Sequence, residues 1–107
     1  MAEILVVGPR NFTLGFRLAG VRRIYDTAER EASEVFEELL SKGEHDLLIT
    51  DYPTFRDCRK SLQERLEMSL APIVIVISES GEYDAELRER IRTAIGVDLF
   101  EDESKEA

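Results

Sequence analysis

Asp51 and Ser78 are the side chains in this sequence best placed to do chemistry. Each follows an apolar run that reads as a strand, Asp46-Leu47-Leu48-Ile49-Thr50 before the first and Pro72-Ile73-Val74-Ile75-Val76-Ile77 before the second. A carboxylate and a hydroxyl at strand ends could accept and orient a phosphoryl group. Such a site also requires acidic residues after the first strand to hold Mg²⁺, and a lysine after a fifth strand to neutralise the transferred group. Pro9-Arg10-Asn11 supplies no carboxylate, and no fifth strand follows Ile77. Asp51 therefore reads first as a helix cap ahead of Pro53, a residue suited to a first helical turn.

The remaining reactive residues are equally isolated. His45 is the sole histidine and has no partner with which to complete a transition-metal site, so it reads as a surface loop residue. Cys58 falls on an apolar helical stripe, where a thiol is raised in pKa and inert. The carboxylates of Glu37-Glu38 and Glu101-Asp102-Glu103 lack the loop pattern that wraps ligands round Ca²⁺ and read as solvated faces. The turn Gly8-Pro9-Arg10-Asn11-Phe12-Thr13-Leu14-Gly15 matches neither of the glycine-rich loops that cradle nucleotide phosphates. The expectation is no catalytic residue, no cofactor and no metal.

Composition narrows the partners. The net charge of −9, from 23 acidic and 14 basic residues, argues against nucleic acid, which requires a basic face to release counterions. A length of 107 residues fits one domain with one modest core. A lone cysteine cannot close an internal disulfide, which points to a reducing compartment. The first residues read as lacking a basic, apolar export leader, and no run is long enough to span a bilayer, so direct membrane insertion is not expected.

The elements follow from periodicity. Ile4-Leu5-Val6-Val7-Gly8 reads as a buried parallel strand, and Val21-Arg22-Arg23-Ile24-Tyr25 alternates like a half-exposed edge strand. Asp26 or Thr27 is expected to cap a helix whose stripe is Ala32, Val35, Phe36, Leu39 and Leu40, with Gly43 ending it. A single helix after Pro53 is expected to bury Phe55, Cys58, Leu62 and Leu66. Pro72 to Ile77 is β-branched on both faces and is expected to be covered on both. Strand and helix alternate, which predicts an α/β, three-layer fold: a four-stranded parallel sheet in the order 2-1-3-4 flanked by helices, plus a C-terminal helix. The expected divisions are an N-terminal α/β domain over 1-78, a linker loop over 79-83, a helix over 84-97 and an acidic, disordered tail over 98-107. The strand ending at Ile77 would lie at a sheet edge, which a neighbouring chain or the last helix is expected to shield.

Docking suits these residues better than catalysis. A very short helix, Thr13 to Ala19, is expected to close at Gly20 in a left-handed cap, presenting Phe16, Arg17 and Leu18. Arg17 could make a bidentate pair across an interface, although an ordinary surface arginine is the plain alternative. Arg88 and Arg92 lie one turn apart beside the stripe Leu87, Ile91, Ile95, and could either meet an acidic partner or simply be solvated.

The segment Gly15-Phe16-Arg17-Leu18-Ala19-Gly20-Val21 after an N-terminal strand resembles the F subunit of the archaeal and vacuolar-type rotary ATPases. Arg92-Thr93-Ala94-Ile95-Gly96-Val97-Asp98 closing the last helix strengthens the likeness. Pro72 before a strand and Gly81-Glu82-Tyr83-Asp84 before the last helix fit as well, so the resemblance covers nearly the whole chain. It implies a non-catalytic central-stalk subunit that couples and regulates ATP synthesis or hydrolysis with proton or sodium transport. It further implies binding to the D subunit of the stalk and to the A and B subunits of the catalytic head, at the cytoplasmic face of the membrane, held there through the complex. Gly81 would be the hinge by which the last helix reaches towards the head. The stretch from Phe100 to Ala107 extends beyond the family's usual stop. The alternatives are a receiver-like signalling domain phosphorylated on Asp51 and a small nucleotide-binding enzyme.

Overall fold

The structure, a computed structural model, describes residues 2–79. The expected hinge Gly81, the arginines Arg88 and Arg92, the helix over 84-97 and the tail over 98-107 lie outside the described residues.

The chain lays down strand β1 (Ile4–Gly8), helix α1 (Arg10–Leu18), strand β2 (Arg23–Asp26) and helix α2 (Ala32–Lys42). It continues through strand β3 (Leu47–Asp51), helices α3 (Tyr52–Arg56) and α4 (Lys60–Met68), and strand β4 (Ile73–Ile77). All strands are parallel, in the order β2-β1-β3-β4. The α/β fold and its strand order are those expected from the alternation of strands and helices.

Register divides the side chains between two faces. Leu5, Val7, Leu48 and Thr50 share one face and are wholly buried. Helices α2 and α4 pack together over it, contributing Phe36, Leu39, Leu62 and Leu66 to the core. The Thr50 hydroxyl stays satisfied there by donating to the Val7 carbonyl at 2.7 Å. The other face carries Val6 and Gly8 on β1, Ile49 and Asp51 on β3, and Ile73, Ile75 and Ile77 on β4. Helix α1 covers only its β1 and β2 side. Consequently Ile73, Ile75 and Ile77 are 53%, 43% and 38% exposed. The expectation that β4 is covered on both faces is thus corrected: its isoleucine face projects beyond the reach of α1.

Three helix boundaries also differ from the periodicity reading. Helix α1 begins at Arg10 rather than Thr13, because Pro9 fixes an extended cap whose carbonyl accepts the Phe12 and Thr13 N–H groups, both at 3.0 Å. Helix α2 begins at Ala32, since the Asp26 carboxylate accepts the Ala28 N–H at 2.9 Å and folds a local turn instead of capping a helix. The expected single helix after Pro53 is two, α3 and α4, broken at Asp57 to Arg59. Gln63, itself buried, donates from its side-chain amide to the Arg56 and Cys58 carbonyls freed by the break. Phe55, Cys58, Leu62 and Leu66 are nevertheless all buried.

Candidate docking site

Helix α1 owes its place to a missing side chain. A Cβ at Gly8 would lie 2.8 Å from the Phe12 ring and 3.2 Å from Asp51 Oδ1, so glycine lets the helix settle onto the sheet. The Phe12 and Phe16 rings then pack at 5.3 Å between centroids, tilted by 53°. Phe16 is half-buried, whereas Arg17 is exposed and Leu18 is 79% exposed. Among the described residues Arg17 has neither an ion pair nor a hydrogen-bonded acceptor for its guanidinium. The helix ends in a Schellman motif, with Val21 N–H on the Phe16 carbonyl at 3.0 Å and Gly20 N–H on the Arg17 carbonyl at 3.1 Å. Gly20 takes φ of 104°, the left-handed region anticipated for it. Phe16, Arg17 and Leu18 therefore lie together on one short helix, the last two facing solvent.

Asp51 stands where β1 and β3 end side by side and the strand order reverses, the usual ligand crevice of such sheets. It holds the cap position of α3 with extended backbone, but its carboxylate makes no cap hydrogen bond. The capping role expected of it is corrected accordingly. Oδ1 is buried without any hydrogen-bond partner. Among the described residues no trio of His, Cys, Asp or Glu side chains gathers to hold a metal ion.

Other polar residues serve the frame. Cys58 is buried, its sulphur 3.5 Å from the Thr54 carbonyl, and desolvation pushes its thiol up from the ordinary value. His45 is exposed in the loop before β3, as expected. The periodicity reading missed a cluster on Arg23. Its guanidinium meets Glu3 at 3.0 Å, Asp46 at 3.7 Å, Glu44 at 3.8 Å and the Tyr25 hydroxyl at 3.1 Å. The hydrogen bonds to Tyr25 and Glu3 raise the Arg23 pKa further. Glu37 likewise accepts from Arg65 and Arg59, which hold its carboxyl below the usual range. No local pattern announces the ion pairs, because their partners lie 20 or more residues apart in sequence.

Comparison with known proteins settles the lineage. The family described as ATP synthase (F/14-kDa) subunit matches residues 4–95. The chain belongs to this family. Among the relatives of this ATP synthase component is the F subunit of the A-type ATP synthase of Methanococcoides burtonii, 33% identical over 98 residues and matched across 92% of this chain and 98% of that one. Its counterpart in Methanothrix thermoacetophila is 35% identical over 99 residues with the same coverage. The crystal structure of the F subunit of the V-type ATP synthase from Archaeoglobus fulgidus superposes with a TM-score of 0.60 at 25% identity, over 71% of this chain and 96% of that one. Membership makes the chain a component of an ATP synthase complex. No helix of the described residues is long and apolar enough to cross a membrane.

Proposed function

We propose that this chain is a non-catalytic subunit of the central stalk in a membrane-bound rotary ATP synthase or ATPase. In this role it couples and regulates ATP turnover with proton or sodium transport. The family match across residues 4–95 carries the reading. The exposed Arg17 and Leu18 on a rigidly capped helix support it by offering a surface for a neighbour. The D subunit of the stalk is the direct partner, with the A and B subunits of the catalytic head engaged by the residues after Ser78. Gly81 acts there as hinge, and Arg88 and Arg92 as contacts. The chain works at the cytoplasmic face of the membrane and is held there through the complex.

The test is co-purification with the stalk coiled coil from the same source. Wild type should be retained, and Arg17→Glu should weaken the complex by about tenfold or more, the usual scale for reversing an interfacial charge. Retention of neither protein would remove the stalk reading. The receiver alternative, phosphorylation on Asp51, gains nothing from the relatives and is not pursued.

A further inference from the structure

The two edges of the described sheet are finished differently. Strand β2 begins and ends its edge with charge, Arg23 and Asp26, the kind of residue that discourages a further strand from pairing. Strand β4, at the other edge, reads Ile73-Val74-Ile75-Val76-Ile77, with no charge, proline or glycine along its length. The Ile73 N–H is turned inward and donates to the Asp46 carbonyl at 2.9 Å. Backbone groups of alternate residues in a parallel ladder face opposite ways. Those of Val74 and Val76 therefore point out from the sheet, where no described strand receives them. A helix bonds its own backbone internally, so it can shade the isoleucine row but leaves these main-chain groups unmet. A strand meets them.

The sequence of β4 also reads the same in both directions. Laid antiparallel to a second copy about a two-fold axis through Ile75, it sets Ile73 opposite Ile77, Ile75 opposite Ile75 and Val74 opposite Val76. That register turns the outward N–H and C=O groups of Val74 towards those of Val76 in the other copy. The isoleucines fall at the non-hydrogen-bonded positions, where side chains approach most closely, and join two exposed rows into one. A slip one way sets Pro72, which lacks an N–H, against Val76, and a slip the other way sets Ile73 against Glu79.

We propose that the free chain pairs with a second copy of itself through the β4 edges, antiparallel and centred on Ile75, continuing the sheet across a two-fold axis. The pairing does not depend on the stalk reading. Five residues a side fall well below the roughly 20 to 30 of a stable interface, so the dimer is weak and forms as concentration rises. The charge of −9 on each copy opposes it, so added salt strengthens it.

The test is sedimentation velocity of the full free chain from about 10 µM to about 1 mM, the range of weak encounters. The average mass should climb towards twice that of the monomer, more steeply at high salt. Ile75→Lys, which sets like charges face to face across the axis, should stay monomeric. Under mild oxidation Ile75→Cys should form an inter-chain disulfide, since opposed residues of a non-hydrogen-bonded pair lie within disulfide reach. Ile73→Cys alone should not, because its counterpart lies ~13 Å along the other strand. Mixing Ile73→Cys with Ile77→Cys chains should restore the link, against a background set by the wild type with its buried Cys58. A monomer across the whole range overturns the proposal. So does concentration-independent protection of the Val74 and Val76 amides from hydrogen exchange, the sign that another part of the same chain holds the edge. A rise in mass that survives Ile75→Lys overturns the edge as the contact, and equal linking by Ile75→Cys and Ile73→Cys alone overturns the register.

Discussion

Gly8 shows how a single residue decides what its neighbours can do. With Phe12 and Asp51 both closer to a prospective Cβ than ordinary packing allows, even a methyl group forces α1 outward. Gly8→Ala should therefore destabilise the chain by about 1–3 kcal/mol, the usual scale for overpacking, seen as a lower urea midpoint at unchanged slope. Cys58 supplies a pH prediction. Burial raises its folded pKa above the ordinary 9.0, so the folded state holds the thiol proton more tightly than the unfolded chain does. The resulting stability is complete below the unfolded value and is lost as pH climbs past 9 through the folded one. Alkylation by iodoacetamide at pH 8 should be on the order of tenfold slower in the native chain than in urea. The burial of Cys58 was legible from its place on an apolar stripe. The unpartnered Asp51 oxygen was not, because Asp before a proline helix start signals a cap whether or not the carboxylate turns to make the bond.

At the scale of elements, chemistry that acts within a few residues was readable and chemistry that acts across the fold was not. Gly20 and Gly43 were both identified as helix ends, and both take positive φ. Gly20→Ala should cost about 1–2 kcal/mol by forcing a Cβ into the left-handed region, measurable by thermal denaturation, with the Leu18 end of α1 losing amide protection first. The start of α2 was misread because Asp26 has two uses, capping a helix or bending its own turn, and only the packing that follows chooses between them. The break between α3 and α4 escaped notice for a different reason. The apolar stripe keeps its helical spacing through the break, and the side chain that makes the break tolerable, Gln63, signals nothing locally.

At the scale of the molecule, alternation of strands and helices sufficed for the α/β sheet and its order, because parallel strands joined by helices leave few arrangements. Which strand would lie bare was harder to judge. The run Ile73 to Ile77 carries the signature of a central strand, yet the described sheet ends with it. The run is β-branched on both faces, and composition alone does not tell a row that its own chain covers from one left open. Ile75→Lys should leave the stability of the free chain within about 0.5 kcal/mol, as for other exposed sites. It should also raise the solubility of the free chain, by placing a charge in an exposed apolar row. Urea denaturation and light scattering of the free chain would check both.

The lower ends of the strands hold one further lesson. Asp46, with 8% of its side chain exposed, accepts the Glu3 N–H and faces Arg23, so residues from the first three strands and their approaches converge on one carboxylate. Trimming the opening residues, a routine step when a purification tag is grafted onto this terminus, would spare every strand yet unfasten that clasp.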